Sequence, residues 1–132
     1  MTWDTTGWDE GAYSVRAIAS DRAANAPGRG LTGEDELDEE MRVDRTPPEI
    51  AARRVAGGAV DVTVVDAVSA VARLEILEGG KAVASPASAD GVCDAKRETF
   101  HLSAEDAGPA GARTLRAADA AGNTADLPVP AP

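Results

Sequence analysis

The chain is poor in the residues that build most metal, redox and catalytic centres. Its 132 residues include one cysteine, Cys93, and one histidine, His101. A single cysteine cannot form an internal disulfide or a cysteine-based metal cluster. No Gly-x-Ser-x-Gly motif is present, and nothing near His101 resembles a nucleophile with its base. We therefore expect no enzyme, with His101 as a surface side chain on the outward face of a strand.

The setting of Cys93 also argues against a reactive thiol. Asp90 and Asp94 flank it in a Gly-containing stretch. Neighbouring carboxylates raise a thiol pKa and so oppose formation of the nucleophilic thiolate. Cys93 is expected to be an inert loop residue, and the sequence leaves its exposure open.

Aromatic residues and long apolar runs are scarce as well. Aromatics make up 3% of the chain, and Phe100 is the only one after Tyr13. Such a core must be thin and built from small side chains. No apolar run approaches the ~20 residues of a membrane span, so none is expected. The polar residues that follow Met1 predict no signal peptide.

Basic residues are outnumbered by acidic ones, 13 against 23, which gives a net charge of −10. This balance argues against nucleic acid and anionic membranes as partners, because both require clustered lysine and arginine. Six of the acids fall within residues 34–40. Blocks of like charge are usually solvated, so a solvated acidic loop is expected there. An acidic partner-binding loop is the alternative.

What the chain does contain is an internal repeat. Residues 11–25, GAYSVRAIASDRAAN, return in shorter form as residues 111–123, GARTLRAADAAGN. Each copy is an alternating segment that ends in an Asp and Asn turn. Arg113 occupies the place of Tyr13, so the second copy lacks a tyrosine.

Short alternating segments after Pro48 predict seven strands. Val60, Val62 and Val64 alternate with polar residues, and Gly79–Gly80 is a hairpin signal. Residues 113–121 are Ala-rich and could form a helix. Their repeat partner carries Tyr13, Val15 and Ile18, which favour a strand. The sequence therefore predicts an all-β antiparallel sandwich of immunoglobulin or fibronectin type.

Three regions are expected. Residues 1–45 are predicted to be the last strands of a truncated β-domain that carries the acidic loop 34–40. Residues 46–48 form a Pro-Pro linker, and residues 49–132 form a complete sandwich. Two or three strands cannot bury a face alone. Residues 1–45 are therefore expected to fold back on the second domain, or to form a homodimer or strand-swapped oligomer.

Two binding sites are weighed against structural roles. Asp90, Asp94, Asp119 and Asn123 are weak candidate ligands for calcium, and Asp44 and Asp66 could join them at the domain junction. Asp-Gly and Asn turns are also common structural elements, so no cofactor is expected and calcium is the alternative. Trp3 and Trp8 could form a sugar-stacking platform, although core packing is the more ordinary role.

The order of several motifs resembles a known family. Gly11-Ala-Tyr13, Asp21–Asn25, Val43–Ile50 and Asp119–Asn123 follow one another as in bacterial immunoglobulin-like or fibronectin type III-like extracellular repeats. Glu78–Gly80, Asp90–Asp94 and Glu98–Phe100 look like the module that follows β-propeller repeats in some large secreted bacterial proteins. The resemblance implies a secreted or cell-surface protein. It also implies a non-catalytic spacer or protein-interaction module, with a carbohydrate- or calcium-dependent adhesion domain as the alternative. The partner would be another protein or the parent chain.

Overall fold

A computed structural model describes residues 2–131, which divide into two compact units between Val43 and Asp44. The described residues are 44% strand and 5% helix, and every strand pair among them is antiparallel, so the predicted all-β class is confirmed. Residues 46–48, predicted as a linker, lie in the second unit, where Pro48 is buried. Among the described residues, no helix is long and apolar enough to cross a membrane.

The first unit is a pair of two-stranded ladders. Strand β1 pairs with β4, and β2 pairs with β3. The bounds are Gly11–Tyr13 for β1, Arg16–Ser20 for β2, Thr32–Glu36 for β3 and Met41–Val43 for β4. Val43 is the only buried residue between residues 2 and 43. The described part of this unit therefore has no apolar core of its own.

The acidic block is the main departure from the sequence prediction. Residues 34–36 were expected in a loop but lie in β3, paired residue by residue with β2. Their side chains are exposed, so the carboxylates stay hydrated while the backbone forms ladder hydrogen bonds. Arg16 lies 3.7 Å from Glu34 across the ladder and offsets part of the repulsion. Charge alone therefore did not prevent strand formation.

The second unit contains the seven predicted strands, which form two sheets. One sheet has the order β11-β10-β7-β8 and the other β5-β6-β9. Their bounds are Glu49–Arg54 (β5), Val60–Val65 (β6), Val71–Glu78 (β7), Lys81–Ala84 (β8), Arg97–Leu102 (β9), Thr114–Asp119 (β10) and Thr124–Pro128 (β11). Residues 113–121 are thus not helical. A four-residue helix, Ala104–Ala107 (α1), was not predicted; Ser103 caps it by accepting a hydrogen bond from the Asp106 amide.

One apolar cluster joins the two sheets. Alternate residues of each strand face inward, so period-2 patterning places one side of each sheet in a common core. The cluster consists of Val60, Val62, Val64, Phe100 and Leu102 from one sheet, Val71, Leu74, Ile76, Leu115 and Ala117 from the other, and the flanking Ala107 and Val129. Two sheets that share one core have the arrangement of a β-sandwich.

The hairpin between β7 and β8 has the turn that its sequence indicated. Glu78 pairs with Lys81 across the two-residue connection. Gly79 has φ 58° and Gly80 has φ 82°. Two successive positive φ values are those of a type I′ turn, which matches the natural twist of a hairpin.

Arg54 closes one end of the sandwich. It continues the inward-facing row of β5 after Ile50 and Ala52. Its Nε donates to the Pro130 carbonyl at 2.8 Å and its Nη1 to the Gly58 carbonyl at 2.7 Å, and Nη2 donates to the Gly108 carbonyl. One side chain thus ties three separate loops to the first strand of the unit.

Substituting Arg54→Ala should destabilise the second unit by about 2–4 kcal/mol, because three partly buried carbonyls lose a charged donor. Thermal unfolding of the full chain measures this loss. The neighbour Arg53 is a matched control, since its side chain is 78% exposed and its only salt bridge, to Asp61, is 3.4 Å long. Arg53→Ala should cost no more than about 1 kcal/mol. Equal losses for the two variants would contradict the role given to Arg54.

Candidate functional site

Three aspartates meet at the end of the sandwich opposite Arg54. Asp44 precedes β5, Asp66 directly follows β6, and Asp119 is the last residue of β10. One carboxylate oxygen from each lies within 4.8 Å of those from the other two. We call these residues the aspartate trio. Within residues 2–131, no other group of three acidic, His or Cys side chains lies this close together.

Local hydrogen bonds fix the orientation of each carboxylate. Asp66 Oδ1 accepts from the amides of Val68 at 2.8 Å and Ser69 at 2.7 Å. Asp44 Oδ1 accepts from the Thr46 amide at 3.0 Å, and its Oδ2 accepts from the Ser69 hydroxyl. These are short-range turns of the kind that Asp favours. Ser69 links the first two aspartates, a role that no sequence motif indicated.

Asn123 holds the third carboxylate in place. Its amide donates to Asp119 Oδ1 at 2.9 Å and its side-chain Nδ2 to Asp119 Oδ2 at 2.8 Å. The same Nδ2 lies 3.2 Å from the Asp44 carbonyl oxygen. The predicted Asp119–Asn123 turn therefore also contacts the segment through which the chain enters the unit.

Two of the three aspartates are buried, and among the described residues no salt bridge neutralises any of the three. Asp66 is 3% exposed and Asp119 is 2% exposed, while Asp44 is half-buried. The salt bridges among residues 2–131 do not include any of the three. At this separation, two ionised carboxylates repel each other by roughly 3 kcal/mol at an effective dielectric constant of about 20.

One atom of the trio is also unsatisfied. Asp66 Oδ2 is buried and has no hydrogen-bond partner, the only such side-chain atom among the described residues. Buried polar atoms are nearly always paired, so an exception needs a specific explanation. The three carboxylates are the residues of the second unit best placed to hold a metal ion.

The predicted calcium candidates separate into two places. Asp119 and Asn123 belong to the trio's surroundings, as do Asp44 and Asp66. Asp90 and Asp94 lie in the loop between β8 and β9 and are not part of the close group.

Asp90 and Asp94 have local structural contacts. Asp90 Oδ1 accepts from the Ser88 hydroxyl at 2.7 Å and from the Val92 amide at 3.2 Å, and the Ser88 bond is the main cause of its lowered pKa. Gly91 follows with φ 90°. The Asp94 amide donates to the buried Glu98 carboxylate at 3.0 Å. The Asp90 carboxylate therefore stabilises a turn, whereas Asp94 contributes its backbone amide to the contact with Glu98.

His101 lies on the outer surface of its sheet, as predicted. Its Nδ1 is 2.8 Å from Asp61 Oδ1 on the neighbouring strand, and this contact is the main cause of the lowered pKa of Asp61. Arg53 is on the other side of Asp61, at 3.4 Å. Within residues 2–131, no Ser, Thr or Cys side chain hydrogen-bonds to the His101 ring. His101 and Asp61 are therefore a cross-strand hydrogen-bonded pair on the surface of the sheet.

The tryptophans of the first unit are partly exposed. Trp3 is 42% exposed and Trp8 is 39% exposed. The Trp8 and Tyr13 rings are 5.0 Å apart at an interplanar angle of 56°, a tilted aromatic pair. Neither tryptophan is part of a buried core.

Comparison of the chain with family models, characterised proteins and solved structures gives no match.

Cys93 gives a direct check on this part of the structure. It is half-buried against the core, and desolvation is the main cause of its raised pKa. Since the thiolate is the reactive form, Ellman's reagent at pH 8 should react with the folded protein more slowly than with glutathione. Denaturant should remove the difference. A folded protein that reacts as fast as glutathione would contradict the placement of Cys93.

Proposed function

We propose that the chain is a non-catalytic structural module of immunoglobulin or fibronectin type III-like fold, a spacer or protein-interaction unit of a secreted or cell-surface bacterial protein. The observation that carries this proposal is the position of the second unit's two ends. The first residue of this unit, Asp44, lies at the end of the sandwich that holds the aspartate trio, which we call the aspartate pole. Pro130 lies at the opposite end, beside Arg54, which we call the Arg54 pole.

The strand pairing places the two ends apart. Asp44 lies beside Asp66. Asp66 directly follows Val65, which pairs with Glu49, the first residue of β5. Asp44 is therefore at the end of the sandwich where β5 begins. Pro130 is held by Arg54, at the other end of β5. A six-residue strand spans about 17 Å between its first and last residues. Units with ends at opposite poles can be joined in line, which is what a spacer requires.

The first and last strands also run in the same direction. Strand β5 runs from the aspartate pole to the Arg54 pole. Strand β11 begins after the Asp119–Asn123 turn and ends near Arg54, so it has the same sense. Force applied to the two ends therefore acts lengthwise along β5 and β11. The contacts that hold these strands in the sandwich must then break at the same time rather than one after another.

The strand order supports the finer fold assignment. In immunoglobulin-like sandwiches, strands A, B and E form one sheet, and C, F and G form the other. Here β5, β6 and β9 correspond to strands A, B and E, and β7, β10 and β11 correspond to C, F and G. Strand β8 lies at the edge of the second sheet, beside β7.

The corner contacts of the two repeat copies give further support. Tyr13 donates its hydroxyl to the Asp9 carbonyl at 2.7 Å, four residues upstream, as in a tyrosine corner. Arg113, at the equivalent place, donates to the carbonyls of Glu105 at 2.7 Å and Asp106 at 2.8 Å. The arginine thus replaces the tyrosine as an anchor to the preceding loop.

The charge and the exposed residues of the first unit bear on the partner. The net charge of −10 favours a protein over a nucleic acid. Ile18, Leu31 and Leu37 are each more than half exposed. Two-stranded ladders of this kind need a covering surface, which we assign to the parent chain or to a second copy of this chain.

Single-molecule pulling on the full chain, through handles at its two ends, tests the spacer role. The second unit should unfold in one step and release about 270–295 Å. This is the contour of residues 44–130 at 3.3–3.6 Å per residue, less the roughly 17 Å that already separates the folded ends. Handles at Lys81→Cys and the C-terminus, both at the Arg54 pole, should give a lower rupture force, because they no longer load the strands lengthwise.

Three results would contradict the proposal. One is equal rupture forces in the two pulling directions. Another is a hydrolytic activity that a His101→Ala substitution abolishes. The third is saturable binding of a polysaccharide that quenches tryptophan fluorescence, which would favour the carbohydrate-binding alternative instead.

A further inference from the structure

We propose that the aspartate trio is a binding site for one hard divalent cation, with Ca²⁺ as the ligand, and that the ion fastens the incoming chain to the sandwich. This inference does not depend on the spacer role, because it concerns only contacts within the second unit. It extends the calcium alternative to a defined set of ligands, Asp44, Asp66 and Asp119.

The unsatisfied oxygen, Asp66 Oδ2, is the observation that points to a bound cation. Asp66 Oδ1 is already used by two loop amides, so Oδ2 is the oxygen that remains available. The residue is 3% exposed, and bulk water does not reach Oδ2. A carboxylate oxygen kept from both water and donors is costly, whereas a cation between three carboxylates would satisfy it and offset their mutual repulsion.

A basic side chain does not satisfy the oxygen. The salt bridges among residues 2–131 do not include Asp44, Asp66 or Asp119. Lys96 Nζ donates at 2.9 Å to the carbonyl of Ala67, the residue after Asp66.

The donor set selects the class of ion. All three ligands are carboxylate oxygens, and no His or Cys side chain belongs to the group. Oxygen ligands suit Ca²⁺ and Mg²⁺, whereas zinc sites usually include nitrogen or sulfur. Three aspartates fall short of the six to eight oxygens that Ca²⁺ takes. Water must supply the rest beside Asp44, the least buried of the three. This points to a weak site with a Kd of about 10⁻⁴–10⁻³ M, typical of extracellular modules.

The positions of the three ligands define what the ion would do. Asp66 and Asp119 belong to the sandwich, each at the end of a central strand, while Asp44 belongs to the segment before Pro47 and Pro48. Prolines at these positions restrict the backbone on one side of Asp44. A bound ion would therefore tie Asp44, the first residue of the second unit, to the ends of β6 and β10.

The test is calcium titration of the chelator-treated full chain, followed by calorimetry and by thermal unfolding. We expect one ion per chain and a rise in Tm of about 5 °C or more at ten times the Kd or above. Asp66→Asn keeps the shape of the side chain and removes one charge. It should weaken calcium binding at least tenfold and so reduce the Tm shift at the same calcium concentration to about a third or less. Asp44→Asn should do the same.

The controls separate a site from a structural cluster. In chelator, Asp66→Asn should melt at the same temperature as the parent or higher, because repulsion is relieved. A lower Tm without calcium binding would mark the trio as merely structural.

Asp90→Asn and Asp94→Asn should leave calcium binding unchanged. Loss of binding in these variants alone would place the ion in the β8–β9 loop. Binding of Mg²⁺ but not Ca²⁺ would overturn the choice of ion, and no binding of either would overturn the site. None of these outcomes bears on the pulling experiment.

Discussion

The second unit depends on one thin apolar layer between two sheets. Val60, Val62 and Val64 supply one side and Leu74, Ile76 and Leu115 the other, each no more than 1% exposed. Fully burying such a side chain contributes roughly 1.5–3 kcal/mol, and few aromatic rings add to it. Polar contacts at the two poles therefore contribute a larger share of the free energy of unfolding than they would around a larger core.

Those polar contacts differ between the poles. At one end, the Arg54 guanidinium donates hydrogen bonds to the carbonyls of Gly58, Gly108 and Pro130. At the other end, three carboxylates converge, and one oxygen is left without a partner. Protein groups alone satisfy the guanidinium at the Arg54 pole, whereas the aspartate pole is where we propose a cation. Asp44, one of its three proposed ligands, is also the first residue of the second unit.

The sequence predicted the strands well and the long-range contacts less well. Alternation at Val60–Val64 and the Gly79–Gly80 pair identified a strand and a hairpin, because both signals are local. The repeat correctly predicted a strand at residues 114–118 despite their alanines, and the structure extends it by one residue, to Asp119. The acidic residues 34–36 were assigned to a loop because composition does not show that a strand can keep its side chains in water. Asp44, Asp66 and Asp119 could be named as possible ligands, but only the fold showed that Asp90 and Asp94 lie in a different loop and that Ser69 links Asp44 to Asp66.

The central claim is that two antiparallel sheets enclose one core in residues 44–131. Methyl-resolved NMR of the full chain tests it most directly. The account predicts nuclear Overhauser contacts between the methyl groups of Val60, Val62 and Val64 and those of Leu74, Ile76 and Leu115, which belong to opposite sheets. Contacts confined to neighbouring strands within each sheet, with none between the two sets, would contradict it.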